Sequence, residues 1–237
     1  MALTLAAAEA VTLADQVLQI IQEQIVAGTL EPGTKLNEGE LAAAHGISRG
    51  PLREAIRRLE ARRLVEIVPN VGARVVCLSP EQLLAVYETR EALEAAACRL
   101  AAQRIEPEEV ASLHQLLDDH ERRLPRNSSA QYHQEEGDFD FHYRIARASR
   151  NPILASMLCD DLYHLVRMYR RRTPARAGRG RRALDEHRRI VDALGANDAD
   201  LAELLMRRHV SAARQLLNTD ETSRSTDVPE NSSGDSS

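Results

Sequence analysis

The stretch Ser48–Leu64, SRGPLREAIRRLEARRL, decides how the first third of the chain is read. Leu52, Ala55, Ile56 and Leu59 fall at i, i+3, i+4 and i+7, the spacing that gathers apolar side chains on one face of an α-helix. Ser48 stands at the N-cap position, and Pro51 is tolerated in the first turn, where its missing amide hydrogen is not needed. Arg49, Arg53 and Arg57 step by four along another face, and six arginines against two acids lie between Ile47 and Arg63. One side of this helix suits a core and another suits a polyanion.

Upstream, Leu13, Val17, Ile20, Ile21 and Ile25 predict a helix over 11–27 that stops at Gly28. LEPGTKL reads as a turn, and NEGELAAAHGI as a short helix capped by Asn37 that leaves through His45-Gly46. Downstream, LVEIVP and GARVVCL alternate around NVG as a β-hairpin does. A short helix, a second helix with a basic N-terminal half and a hairpin behind it make a winged helix-turn-helix. An α-helix fits the major groove of DNA, and its N-terminal residues reach base edges. Arginine can hold guanine through two hydrogen bonds or neutralise phosphate, and the N-terminal amides favour an anion. The arginines alone would also fit a solvated surface; the order of the elements argues against that.

After Ser79-Pro80 the pattern is helical throughout: 80–105, 107–124, 130–149, 152–172, 179–195 and 198–218. The expected fold is mainly α, a winged helix-turn-helix with a small β-hairpin wing followed by an all-α bundle of six or seven helices. Its parts are a flexible extension (1–10), the winged domain (11–77), the bundle (78–218) and a disordered acidic tail (219–237). The tail holds five acids and one arginine, so most of the formal net charge of -5 lies there. Local charge, not the overall balance, must therefore identify partners. No apolar run approaches the ~18 residues of a membrane span, and the start lacks a signal-peptide pattern. Cys77, Cys98 and Cys159 form no metal pattern and no paired framework. They read as buried thiols of a cytoplasmic protein.

A second constellation lies in the helical part. Asp138 and His142 are one helical turn apart. His187 shares an inward stripe with Leu184 and Val191, and His209 shares one with Ala202, Met206 and Ala213. Carboxylate and imidazole together suit a divalent transition metal. Four such ligands could close a tetrahedral site or leave octahedral positions for water or a small carboxylate. Spacing alone leaves open that each histidine is a hydrogen-bonded or rim residue. Arg90 lies on the stripe of Leu83, Tyr87 and Ala97; it either pairs with Glu94 one turn on or anchors an organic acid. The run Arg167–Arg182 holds eight arginines. It reads as a flexible inter-helix loop with solvated flanks, not as a second nucleic-acid site.

The stretch from near Leu13 to Val76 resembles the DNA-binding domain of GntR-type bacterial regulators, through G-x-L-x-P-G-x-x-L in Gly28–Leu36, then LA, then SRGPLREAIRRL, then the wing glycine. The resemblance implies that Ser48, Arg49 and Arg53 serve operator binding and that Gly72 is the wing tip at the minor groove. Gly39 stands where some members carry a further DNA-contacting arginine. Arg63 stands where the family usually has glycine, so it either ends the helix differently or accepts a left-handed conformation at roughly 1 kcal/mol.

Residues 80–217, through ETREALEAAACRLAAQRI, DFDFHYRIARASRNPIL and EHRRIVDALGANDADLAELLMRRHV, resemble the effector-binding FCD domain of the FadR-type subfamily. This implies that Asp138, His142, His187 and His209 bind a divalent metal (zinc, nickel or manganese) and that Arg90 anchors an effector carboxylate. His45, His114, His120, His133 and His164 match no ligand position and read as surface or rim. The expectation is a ligand-responsive transcriptional regulator: a homodimer on palindromic double-stranded operator DNA, more commonly a repressor, sensing a small carboxylate. The rival expectations are a metal-dependent enzyme working through a metal-bound water, and a constitutive DNA-binding protein whose bundle only dimerises.

Overall fold

The computed structural model describes residues 12–123, 140–172 and 179–225. The chain divides into two compact units, Met1–Ser79 with Ser156–Pro174, and Pro80–Ala155 with Ala175–Ser237.

In the first unit, α1 (Leu13–Ala27) starts with a capping box in which Thr12 and Asp15 bond each other's backbone amides. It ends at Gly28, whose φ of 85° is the left-handed conformation that glycine takes without a Cβ penalty. Asn37 caps α2 (Glu38–Ala44), its side-chain oxygen accepting from the Gly39 and Glu40 amides. Helix α3 (Arg49–Ala61) buries Leu52, Ala55, Ile56 and Leu59, the stripe expected from its spacing, and packs on α1 and α2. Strands β1 (Val65–Val68) and β2 (Gly72–Val75) pair antiparallel with Val65 opposite Val75 and Val68 opposite Gly72. The backbone of 33–36 adds an outer edge: Leu36 donates to Ala73 and Val75 donates to Thr34.

The end of α3 settles the question that Arg63 raised. Arg63 takes φ 56°. Its amide bonds the Glu60 carbonyl at 2.9 Å and the Leu64 amide bonds the Leu59 carbonyl at 3.0 Å. These two bonds form a Schellman closure, sealed by the fully buried pair Leu59 and Leu64. A β-carbon here costs about 1 kcal/mol, so Arg63→Gly should raise unfolding free energy by up to about 1 kcal/mol in urea denaturation. No rise would show that the closure relieves the strain.

The expected helix over 152–172 is interrupted. Helix α7 (Pro152–Ser156) runs into a π-helical turn (Met157–Asp161), where the Leu162 amide bonds the Met157 carbonyl five residues back, and α8 (Tyr163–Arg172) follows. Leu165, Val166 and Met168 of α8 are buried. Helix α8 packs on α1 in the first unit, and the Leu78 amide donates to the Tyr169 hydroxyl at 2.6 Å. His164 is buried here, not at the rim; burial and then the charges of Arg62 and Arg167 push it down to about 3. Of the expected solvated flanks of the arginine run, Arg171, Arg181 and Arg182 are exposed, but Arg167 is buried, its guanidinium 5.6 Å from the Tyr163 ring centroid. Residues 173–178 of that run lie outside the described residues.

In the second unit, α4 (Pro80–Ala102) packs chiefly on α10 (Ala199–Ser225). Ala95, Cys98, Ala101 and Ala102 are buried along α4, and such small side chains let two helices approach closely. Helix α9 (Arg179–Gly195) packs on α5 (Pro107–Arg123) and α10, and α6 (Phe141–Ala148) packs on α4. Phe141, Ile145, Leu184, Ile190, Met206 and Val210 lie in one shared core. Helix α6 begins at Phe141: buried Asp140 is itself extended and caps it, accepting from the His142 amide at 2.9 Å, and residues 130–139 of the expected helix lie outside the described residues. Helix α10 runs to Ser225, past the expected end at 218, since no Gly or Pro interrupts it there. Cys98 and Cys159 are buried, and burial pushes the Cys98 thiol up, but Cys77 is exposed. His120 is buried, not superficial. Residues 1–11, His133 and 226–237 lie outside the described residues. Among the described residues no helix is long and apolar enough to cross a membrane.

Candidate functional site

Helix α3 presents Arg49, Arg53 and Arg57 outward, opposite its buried stripe. Ser48 sits at the N-cap, but its hydroxyl makes no capping hydrogen bond, so the expected cap is positional only. Arg53 Nε bonds Glu38 Oε2 of α2 at 2.8 Å, and both side chains retain solvent contact. An exposed pair of this kind holds its partners weakly, so the guanidinium can exchange Glu38 for another anion. The hairpin tip passes through Asn70 at φ 64° and Gly72 at φ 99°. Beyond its own chain neighbours, nothing lies within 4 Å of where a Gly72 Cβ would be, so the tip is open to approach.

Within the second unit, His142 (α6), His187 (α9) and His209 (α10) converge. Each offers a ring nitrogen, and the three nitrogens lie within 4.8 Å of one another. His187 Nε2 and His209 Nε2 are 3.2 Å apart. Two nitrogens bound at the usual ~2.1 Å to one ion stand about 3.0 Å apart in octahedral and about 3.4 Å apart in tetrahedral geometry. The observed separation lies between the two, so this cluster can coordinate a metal.

The surroundings of the rings fit that use. His142 Nδ1 bonds Glu94 Oε2 at 2.7 Å, and His209 Nδ1 bonds Glu186 Oε2 at 2.7 Å. His187 stacks on Phe141 with ring centroids 4.0 Å apart. Burial pulls His209 down to about 4 against the opposing hydrogen bond it donates to Glu186, so the imidazole is neutral at pH 7 and keeps a lone pair. Burial disfavours the Glu94 anion, but the Arg90 charge and then His142 outweigh it and hold its carboxyl well below the usual range. Glu186 is drawn down to about 2: burial opposes ionisation, and hydrogen bonds from His209 and Arg179 overcome it.

Arg90 is buried, and its guanidinium grips Glu94 through Nε and, at 3.4 Å, through Nη2. It also lies 5.5 Å from the Tyr87 ring centroid. The i+4 pairing is therefore present, and Glu94 links Arg90 to His142. The three predicted histidines come together. Asp138, the fourth predicted ligand, lies outside the described residues, and the helix that was to align it with His142 starts only at Phe141. Sequence reasoning missed the contacts of Glu94 and Glu186 to the histidines, although each glutamate sits in a helix already assigned to the site.

Residues 13–75 match the bacterial regulatory proteins of the gntR family, and residues 85–212 match the FCD domain. The chain is 33% identical over 210 residues to the "Probable D-xylose utilization operon transcriptional repressor" of Paenarthrobacter nicotinovorans, covering 85% of this chain and 87% of that protein. It is 29% identical over 201 residues to the HTH-type transcriptional repressor GlaR of Escherichia coli, covering 80% and 89% respectively. The solved structure of E. coli McbR/YncC shares the fold, with a TM-score of 0.66 at 24% identity over 90% of this chain and 100% of that one. The matched families and relatives are transcriptional regulators, not catalysts, which removes the metalloenzyme alternative. The chain belongs to the gntR family of bacterial regulators and, with its winged reader and FCD domain, is a ligand-responsive transcriptional regulator of FadR-type architecture.

Proposed function

We propose that this regulator binds a palindromic operator as a homodimer and releases it, as a repressor, when a small organic acid reaches a metal centre in the FCD domain. The observation that carries the sensing half is the convergence of three imidazole nitrogens from three helices within 4.8 Å. His142, His187 and His209 would hold a divalent ion of the zinc, nickel or manganese kind, joined by Asp138. Such an ion supplies a Lewis-acidic anchor for a carboxylate. Arg90 would hold the other end of the acid: its contact to Glu94 through Nη2 is long, 3.4 Å, and is the one an incoming carboxylate can replace.

On the DNA side, Arg49 and Arg53 stand exposed in the first half of α3, with Ser48 at its start and Gly72 at the wing tip. Helix-turn-helix readers pair across two half-sites, which makes a two-fold dimer the natural unit. The repressor names of two relatives support the sign of regulation. An effector shifts operator affinity only by its unequal affinity for the two dimer states.

The test is selection of bound duplexes from a random pool by the full chain, followed by titration with the selected site. An inverted repeat is expected, with affinity falling steeply with salt. Arg53→Ala should lose on the order of 10- to 100-fold per half-site while the fold is kept. In parallel, metal analysis should find a divalent ion that His187→Ala loses. Unchanged affinity in Arg53→Ala sinks the reading of α3. A metal-free native protein sinks the sensing mechanism.

A further inference from the structure

We propose that Glu94 and Glu186 are positioning residues for the histidine cluster, each fixing an imidazole through Nδ1 so that Nε2 is the nitrogen presented to a cation. This rests on reading the cluster as a metal centre. An ionised carboxylate only accepts hydrogen bonds. A glutamate oxygen 2.7 Å from His142 Nδ1 and another 2.7 Å from His209 Nδ1 therefore place the ring hydrogen on Nδ1 in both residues. The lone pair then resides on Nε2. The geometry agrees independently at His209, where Nε2 is the atom facing His187 Nε2 at 3.2 Å.

Each glutamate is itself held by arginine. Arg90 grips Glu94. Arg179 Nη1 reaches Glu186 Oε2 at 2.9 Å, and Arg182 Nε reaches Oε1 at 3.3 Å. The arginines keep the carboxylates charged and in place, and offset the negative charge they would bring to the site. Each pair also crosses between helices: Glu94 of α4 sets His142 of α6, and Glu186 of α9 sets His209 of α10. The third ring, His187 of α9, is set by stacking on Phe141 of α6. Every ring is thus oriented by a helix other than its own. Carboxylates bonded to the far nitrogen of a metal-bound histidine also strengthen it as a donor.

The two pairs differ in burial, and this decides which to alter. The side chains of Arg90 and Glu94 are 4% and 7% exposed, whereas those of Arg179 and Glu186 are each 20% exposed. Changing Glu186 leaves no arginine stranded in the core. The experiment uses the full chain, Zn²⁺ competition with a chromogenic chelator, and the ligand-field bands of Co²⁺, with circular dichroism to verify folding. Glu186→Ala should bind Zn²⁺ about 10- to 100-fold more weakly and shift the Co²⁺ bands. Glu186→Gln still accepts from Nδ1, and should keep the band positions and recover part of the affinity. Glu94→Gln, of equal shape, should weaken Zn²⁺ in the same direction. If Glu186→Ala binds Zn²⁺ like the native chain with unchanged Co²⁺ bands while His209→Ala has lost the metal, the positioning role is wrong and the metal centre stands. If the native chain takes up neither ion, the metal reading fails and this proposal falls with it.

Discussion

Arg90→Leu should lower the stability of the FCD unit by about 3–5 kcal/mol at neutral pH, read from the midpoint of urea denaturation. The substitution removes the cation that grips Glu94 and leaves a carboxylate buried at 6% exposure with His142 as its remaining ring partner. The sign with pH is fixed by linkage. Glu94 is held well below its ordinary value in the folded state. It therefore contributes stability that is present above the unfolded value and lost as pH falls through the folded one. The variant loses that contribution, so its deficit against the native chain should be largest near pH 7 and shrink as the pH is lowered below the usual glutamate range. The double variant Arg90→Leu with Glu94→Leu should recover much of the loss, because replacing both members of a buried pair is far milder than stranding one. An unchanged midpoint in Arg90→Leu would mean that the pair is open to water in solution.

Phe141→Ala should cost about 3–5 kcal/mol, the range for deleting a buried aromatic ring. Phe141 is fully buried within the shared core of the unit. Its ring also lies against His187, with centroids 4.0 Å apart and planes 21° from parallel. Loss of the ring therefore opens a cavity and frees an imidazole, and Zn²⁺ affinity should fall together with stability. Phe141→Leu refills most of the volume without the flat stacking surface. It should lose stability only modestly while still weakening metal uptake, and that split distinguishes the two roles. A cost below ~1 kcal/mol for the alanine variant would remove Phe141 from the core.

What could be read from the residues in advance follows from what periodicity reports. A spacing of three and four names the face of a helix, so the stripe of α3 and the inward faces of His187 and His209 were legible. It does not name the partner on the next helix. Glu94 lies 48 residues from His142, and Glu186 lies 23 from His209. Those pairings exist only once the bundle closes. Asp140 is extended and caps α6, a break that periodicity across 130–149 did not show. The π-helical turn after Ser156 left no trace in composition, because one extra residue in a turn changes no residue type. Arg63 is the opposite case: the departure from glycine was visible, and only the structure showed that the chain keeps the left-handed turn.

The packing of α8 on α1 bears on how such regulators can be recombined. Tyr169 receives the Leu78 amide, and Leu165, Val166 and Met168 are buried in the same unit as the DNA reader. A fragment cut after Ser79 would therefore carry the reading helix but expose a strip of α1 that α8 normally covers. A chimaera that exchanges reading heads at that junction has to match the incoming α1 to the α8 of the host. The unit that carries the reading helix is not one contiguous stretch of sequence, because the segment that begins at Ser156 belongs to it as well.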